Sequence, residues 1–309
     1  MNLLAKVHIY CFLLSYLIAL GLELMQYLRG RSAALRALTL ISAAAGFLAH
    51  TVFLISRSQK SGLPPLLASQ QDWLLVLAWL GGLLYLILLW THHQHANGLF
   101  MLPAMILLII VAIFVSNQSA GNLKVLAQQR WGMFHATSLV LGIGAVLGAT
   151  ISGLMYLLHH QRLRSRSGWL QKLSLPSLEN LTAMNRWMVV FSFPCLTIGL
   201  LTGFLLITWR KSEMEPVHWT DPTIVTTVIV WLAMVVLLVR LLSSTQQSGK
   251  AVAQLSLLSG GFLLVTVLGP MLLSGSGKLN TFHGRPAEAR EQLATPDNGR
   301  TVSPAEPQQ

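Results

Sequence analysis

Ten histidines are the residues of this chain most able to do chemistry, and their positions divide them into two groups. A neutral imidazole can ligate a metal, form hydrogen bonds or carry a proton, depending on its surroundings. One group lies at basic or polar ends of long apolar segments: His92, His93, His95, His159 and His160. The other group lies within such segments or near their opposite ends, and it contains our candidate ligands: His8, His50, His135, His218 and His283.

The elements that carry these histidines are apolar segments typical of membrane-spanning helices. The chain has 53% hydrophobic and 10% charged residues and a mean hydropathy of +0.60, values outside the range of a soluble domain. A spanning helix needs about 20 apolar residues, and eight segments qualify, at roughly 3–28, 35–55, 73–91, 99–117, 132–159, 186–208, 223–242 and 253–273. The predicted fold class is therefore all-α, a polytopic integral membrane helical bundle of about eight transmembrane helices.

Two regions follow from this pattern. Residues 1–275 are predicted to form the transmembrane helical domain, and residues 276–309 an external polar tail. The tail is rich in Pro, Gln, Glu and Ser and cannot bury a core, so we expect most of it to be disordered. The first apolar segment follows one charge, Lys6, and has no small-residue cleavage site, which predicts an uncleaved span rather than a signal peptide.

Basic residues in the loops predict the orientation. The net charge of +11 comes from Lys and Arg beside predicted helix ends, which favours a topological role over nucleic-acid binding. Two loops are especially basic, with Arg29, Arg31 and Arg36 in one and Arg162, Arg164, Arg166 and Lys172 in the other. The positive-inside rule places both loops in the cytoplasm and both termini on the outer side. Basic residues also remain in the outer loops, so the bias is moderate.

With this orientation, the candidate histidines lie in the outer half of the membrane or just beyond it. His8 and His50 are each expected about five residues from an outer helix end, roughly 7 to 8 Å deep, at one level on neighbouring antiparallel helices. His135 begins the fifth span from the outer side, and His283 follows the eighth. His135 and His283 could therefore meet above the membrane.

Histidines in this arrangement could bind haem, whose iron accepts neutral imidazole as an axial ligand. Haem is a flat, mostly apolar plate with two carboxylates, so a surface site needs aromatic faces and cations. Both occur at the predicted outer boundaries: Trp131, Trp209 and Trp219, with Arg130, Arg210 and Lys211. A structural alternative stands beside this hypothesis, because Trp, Lys and Arg are enriched at membrane interfaces whatever the function. A single membrane histidine is also more often hydrogen-bonded than metal-bound.

Several other chemistries are disfavoured. Cys11 and Cys195 lie in predicted spans without a CxxC motif, which removes thiol redox chemistry and covalent haem attachment. Motifs for ATP hydrolysis, zinc proteolysis and serine hydrolysis do not occur, so a conventional enzyme is not expected. Glu23 is the only acidic residue in a predicted span, and we expect it to reach water at the cytoplasmic end, which disfavours an ion-coupled transporter. The GxxxG spacings at 144–148 and 199–203 predict close helix packing.

Five segments carry a family resemblance. They are "GFLAHTVFLISRSQKSGLPP", "GMFHATSLVLGIGAVLGATISGLMYLLHHQRLR", "LPSLENLTAMNRWMVVFSFPCLTIGLLTGFLL", "HWTDPTIVTTVIVW" and "NTFHG". From about residue 8 to 284, the chain resembles the cytochrome c assembly family of membrane proteins, which includes CcsA-type and HemX-like branches. The LPSLE linker and its following helix are the most specific piece.

The resemblance implies haem handling and a set of site residues. His50 matches the family's second-helix histidine, His135 its first external histidine and His283 its closing histidine, so these three are the expected metal ligands. The family's external tryptophan-rich segment, which ends in WDP and presents haem, is represented by His218, Trp219, Asp221 and Trp231. His8 is an added candidate from depth alone. Asp221 and Pro222 are also expected to start the seventh span, since both suit a helix N-terminus.

Departures from the family pattern leave alternatives open. The family's fuller motif continues DPKE, whereas this chain has DPTI, and Thr226 stands where the family has a tryptophan. The last two predicted spans also contain no histidine. These three departures favour the HemX-like branch. The first hypothesis is a haem-binding protein of cytochrome c biogenesis, holding haem stably or transiently beside another membrane cytochrome c assembly protein. The alternatives are a HemX-like regulatory or scaffold protein without haem and, less favoured, a small-molecule transporter. The expected location is the inner (plasma) membrane of a bacterial cell, with no nucleic-acid partner.

Overall fold

Helices make up the described part of the chain, which contains no strand. The computed structural model describes residues 8–30, 32–91, 97–115, 130–164, 168–171, 173–208, 222–243 and 249–275. Eight long helices lie in these ranges: α1 (Ile9–Arg29), α2 (Ala33–Ser61), α4 (Gln70–Thr91), α5 (Gly98–Phe114), α6 (Arg130–Arg164), α8 (Leu178–Thr208), α9 (Pro222–Ser243) and α10 (Gly249–Gly275). Two single turns complete them, α3 (Pro65–Ala68) and α7 (Gly168–Gln171). The predicted tail, 276–309, lies outside the described residues.

The long helices confirm the predicted membrane bundle, because each predicted span overlaps one of them. Among the described residues, five helices are long and apolar enough to cross a membrane by length and composition: α1, α2, α4, α6 and α8. Many large apolar side chains point outward, including Trp90 at 76% and Leu258 at 73% exposure. An apolar exterior is what lipid tails require of a spanning protein. The sidedness rests on the loop charges and stays a prediction.

Helix ends follow local rules, and several bounds differ from those predicted: α6 ends at Arg164 instead of near 159, and α8 begins at Leu178 instead of near 186. Helix α1 begins at Ile9, with His8 as an extended N-cap at φ −100° and ψ 157°. Residues 3–7, which the predicted span also included, lie outside the described residues. Helix α2 continues to Ser61 instead of ending near 55, and Gly62 ends it with a left-handed φ of +66°. Glycine adopts this conformation without steric cost. Pro222 is the first residue of α9, as predicted.

The helices pack mainly within two groups, α1, α2, α4 and α5 in the first and α6, α8, α9 and α10 in the second. Close contacts join α6 to α8, where a methyl built at Gly199 would lie 2.5 Å from Leu139. This confirms the close packing predicted for the 199–203 spacing. At Gly144, the nearest atom would be 3.4 Å away, an ordinary contact, so that glycine does not mark a close helix crossing.

Hydrogen bonds fix the linker between α6 and α8. The Arg162 guanidinium donates to the Leu173 carbonyl oxygen at 2.7 Å, and His159 Nδ1 lies 2.8 Å from the Pro176 carbonyl oxygen. The Ser177 hydroxyl accepts from the Asn180 backbone N–H at 3.2 Å and thus caps α8. His159 therefore has a structural role at this end of the bundle.

Candidate functional site

His135 lies one turn inside α6, where its ring contacts α8. Its Nδ1 is 2.8 Å from the backbone carbonyl oxygen of Gly199. A carbonyl only accepts hydrogen bonds, so Nδ1 carries the proton and Nε2 keeps its lone pair. Nε2 forms no hydrogen bond with any described residue. The ring is half-buried, which leaves it partly accessible.

One glycine on α8, Gly203, makes room for the His135 ring, and a second, Gly199, contributes a backbone carbonyl to it. A methyl built at Gly203 would lie 2.8 Å from His135 Cε1 and 3.1 Å from Nδ1, so only glycine permits this approach. Gly199 supplies the accepting carbonyl, which also accepts from the Thr202 hydroxyl at 3.0 Å. The GxxxG spacing thus positions a histidine as well as joining two helices.

Trp131 lies four residues before His135 and therefore on the same face of α6. Its ring is 45% exposed and lies 6.2 Å from the Phe134 ring. An exposed aromatic side chain thus lies on the same helix face as the half-buried imidazole. The Arg130 side chain lies outside the described part of the structure.

His50 is enclosed between α1, α2 and α4. Its side chain is 0% exposed, and its ring stacks on Phe12 with centroids 4.1 Å apart and planes within 1°. Tyr16 approaches with its edge at 6.2 Å. Neither ring nitrogen forms a hydrogen bond with a described residue, although the Leu75 backbone lies close to the ring. A buried polar group without a hydrogen-bond partner is costly. His50 is therefore a candidate for binding a ligand.

Tyr16 is the second unpartnered polar residue of this cluster. Its side chain is 1% exposed, and its hydroxyl forms no hydrogen bond within the described residues. The hydroxyl lies against α4, 2.9 Å from a methyl built at Gly82. Tyr16 and His50 therefore place three unsatisfied polar atoms in the buried interior of the first helix group.

His8 does not lie at the level of His50. The imidazole of His50 stacks on Phe12, which follows His8 by four residues, or about 6 Å along a helix axis. His8 is exposed at the end of α1, and its backbone carbonyl accepts from the Cys11 N–H at 2.9 Å. The expectation of one shared depth is therefore wrong, and His8 remains a candidate at the helix end only.

Trp231 packs between α9 and α8. Its indole N–H donates to the Thr197 hydroxyl at 2.9 Å, and its ring stacks on Phe193 with centroids 6.2 Å apart. Thr197 lies two residues before Gly199, which holds His135. The contacts of Trp231 thus support α8 near the His135 site.

The remaining candidate residues lie outside the described part of the chain: His218, Trp219, Asp221 and His283. Their assignments stay predictions. Among the described residues, no three His, Cys, Asp or Glu side chains form a group that could hold a metal ion. A haem iron needs only one or two protein ligands, since the porphyrin supplies four nitrogens.

A buried ion pair escaped the sequence analysis. The Arg57 guanidinium contacts both carboxylate oxygens of Asp72, with Nε to Oδ1 at 2.9 Å and an Nη2 hydrogen bond to Oδ2 at 2.9 Å. The Oδ1 contact is an ion pair rather than a directed hydrogen bond. Asp72 is 1% exposed and also accepts from the Ser69 hydroxyl at 3.0 Å. Glu23 is therefore not the only acidic residue within a long helix.

Glu23 itself does not reach water as expected. It is 5% exposed and accepts a hydrogen bond from the Tyr85 hydroxyl at 2.9 Å. A methyl built at Gly98, the first residue of α5, would lie 2.6 Å from a carboxylate oxygen of Glu23. An ion-coupled transporter was disfavoured because no buried carboxylate was expected. Since Glu23 and Asp72 are buried, that reason no longer applies.

Comparison with known protein families finds a match. A family model described as cytochrome C assembly protein matches residues 67–275, well over half of the chain. The match includes His135 and Trp231 and begins after His50. Neither a curated protein nor a solved structure matches the chain.

Proposed function

The chain belongs to the cytochrome c assembly protein family, and we propose that within cytochrome c biogenesis it binds haem through His135 at its outer face. The role in biogenesis follows from the family. The observation that carries the haem proposal is the 2.8 Å contact between His135 Nδ1 and the Gly199 carbonyl.

This contact prepares His135 as a ligand. Metal-bound histidines commonly donate their second ring N–H to a carbonyl, which fixes the tautomer and the ring orientation. Donation from Nδ1 directs the lone pair of Nε2 toward a prospective iron. Gly199 and Gly203 hold the ring against α8, and Trp131 offers an aromatic face one turn away.

Haem would supply the iron that Nε2 ligates, and the other ligand is proposed to be His283. The external segment with His218, Trp219 and Asp221 would cover the porphyrin, while Trp231 supports α8 from below. His8, exposed at the end of α1, is a further candidate contact. The protein partner is proposed to be another membrane cytochrome c assembly protein, in a bacterial plasma membrane.

His50 fits a second haem site by donor chemistry but not by space. Its two unpartnered nitrogens suit ligation, yet the ring is fully buried against Phe12 and Tyr16. A plate as large as a porphyrin reaches His50 only if α1 or α4 moves. We therefore assign the outer site to His135 and treat His50 as a closed site within the membrane.

The test is the visible spectrum of the full chain purified in mild detergent, with and without added haem. We expect a Soret band and sharp reduced α and β bands that the His135→Ala and His283→Ala variants weaken and their combination removes. His160→Ala is the matched control, because this ring stacks on Tyr156 at the opposite end of α6. An unchanged spectrum in the double variant would overturn the site assignment.

The enclosed His50 favours one alternative, a HemX-like regulatory or scaffold protein that does not bind haem. A histidine sealed by two aromatic rings resembles an interior packing residue. This alternative predicts that the purified protein shows no haem absorbance, even after haem is added. It also predicts that the protein retains a membrane protein partner in detergent extracts.

A further inference from the structure

A pocket of about 320 Å³ opens between the start of α2 and the end of α4. Six described residues line it: Ala33, Arg36, Ala37 and Leu40 on α2, and Leu89 and Trp90 on α4. Arg36 is the charged member of these six, and its side chain is exposed. The pocket therefore combines one cation with apolar walls.

The positive charge of Arg36 is not neutralised by the described part of the chain. Its guanidinium forms neither an ion pair nor a hydrogen bond with any described residue, and the first turn of α2 contains no acidic residue. The two acidic residues of the first helix group, Glu23 and Asp72, are both buried. Arg29, the last residue of α1, is a further exposed cation. An anion in the pocket would therefore face cations and no exposed carboxylate of this helix group.

The pocket lies where α4 meets the boundary between lipid and water. Trp90 is the penultimate residue of α4 and is 76% exposed, and tryptophan is enriched at such boundaries. Ile87 and Leu83 lie three and seven residues before Trp90, and therefore on the same helix face. They are 50% and 37% exposed. An apolar stripe thus extends from the pocket toward the middle of α4, where it can accommodate a long apolar chain.

We propose that this pocket binds an anionic phospholipid, with Arg36 contacting the phosphate and an acyl chain along the α4 stripe. The lipid belongs to the cytoplasmic leaflet, because the positive-inside rule places this end of the bundle in the cytoplasm. Basic pockets between membrane helices on that side bind anionic lipid head groups, and a guanidinium matches the geometry of a phosphate.

Two observations favour an anionic phospholipid over other occupants. An acidic protein segment would match the charge of Arg36 but would not lie along an apolar stripe inside the membrane. A zwitterionic phospholipid carries an ammonium group, which the exposed Arg36 and Arg29 side chains would repel. The proposal is independent of haem binding.

The test is native mass spectrometry of the full chain in mild detergent, titrated with phosphatidylglycerol or with phosphatidylcholine of the same acyl chains. We expect tighter binding of phosphatidylglycerol, and Arg36→Gln should raise its Kd at least about fivefold, since one basic charge near the head group is lost. Ala37→Phe should also weaken binding, because it fills the pocket and leaves the charge unchanged.

Each variant has a matched control. Arg164→Gln removes an exposed arginine at the same predicted side of the membrane, but this residue ends α6 and does not line the pocket. Ala45→Phe adds the same ring to an exposed position of α2 outside the pocket. All four substitutions change exposed residues, so we expect the variants to fold, and thermal unfolding in lipid-free detergent checks this.

The outcomes separate a specific lipid site from general attraction to the protein. A preference for phosphatidylglycerol that Arg36→Gln and Ala37→Phe lose, and that both controls keep, supports the site. Equal binding of the two lipids by the unaltered chain overturns it, because lipid then only coats the helices. An equal loss in Arg164→Gln also overturns it, since the attraction then comes from the overall charge. A lipid-free dimer that Ala37→Phe disrupts would show that a second copy covers the pocket, and this result too overturns the proposal.

Discussion

Replacing Gly203 by alanine tests whether α8 positions His135 for haem. The added methyl would lie 2.8 Å from His135 Cε1, whereas carbon atoms in contact prefer about 3.5 to 4.0 Å. The ring must therefore move by roughly 0.7 Å or more. Such a shift would stretch the 2.8 Å contact between Nδ1 and the Gly199 carbonyl toward about 3.5 Å, beyond ordinary hydrogen-bond length.

Loss of that contact should weaken haem binding by about 10- to 100-fold, the usual cost of removing a hydrogen bond that orients a metal-bound histidine. The assay is a haem titration of the full chain in nanodiscs, followed at the Soret band. Gly21→Ala is the control, since a methyl built there meets nothing within 4 Å.

Thermal unfolding separates positioning from general damage. The crowding at Gly203 should also cost about 1 to 3 kcal/mol of stability, so Tm should fall by several degrees while the protein stays folded at the assay temperature. If haem affinity stays within about twofold of the parent value although Tm falls, the α8 contact does not orient a haem ligand and the reasoning is refuted.

Three further predictions concern buried polar contacts. Arg57→Met should lower the free energy of unfolding by about 3 to 5 kcal/mol, because it leaves the Asp72 carboxylate buried without its cation. In thermal unfolding, adding Asp72→Asn should recover part of this loss. Strictly additive losses in the double variant would contradict the ion pair. Tyr85→Phe should cost about 0.6 to 1.7 kcal/mol, the range for hydrogen bonds inside membrane proteins, since it removes one bond to Glu23; an unchanged Tm would show that the bond contributes nothing. Trp231→Phe should lower Tm by a similar small amount and leave the haem spectrum unchanged, whereas a shifted Soret band would indicate direct contact with haem.

The sequence predicted the helices well because membrane spans are marked by composition alone. Hydropathy located every long helix, and Pro222 marked the start of α9. Helix ends were less certain, since α2 continues past its apolar core through Arg57 to Ser61. Whether a polar residue at the end of a span belongs to the helix depends on its contacts with other helices, and the sequence does not show these contacts.

The candidate site could be predicted only in part, because its contacts also depend on which residues of different helices meet. The position of His135 near the start of its helix was expected, but its bond to Gly199 depends on the register between α6 and α8. The GxxxG spacing signalled a close neighbour without identifying the ring that fills the space. Asp72 escaped attention because it lies at the edge of the apolar segment, and the burial of Glu23 depends on Gly98, 75 residues away in the chain.

The division into two helix groups has a consequence for the order of events during biosynthesis. The first group, α1 to α5, is contiguous in the chain and can pack as soon as it leaves the translocation machinery, since N-terminal regions fold first during synthesis. His50 and Tyr16 would then be enclosed early, before α6 is inserted. The contacts between the two helix groups, by contrast, form only when α6 docks against α4 and α5. The interface between the two groups is therefore the last part of the bundle to form.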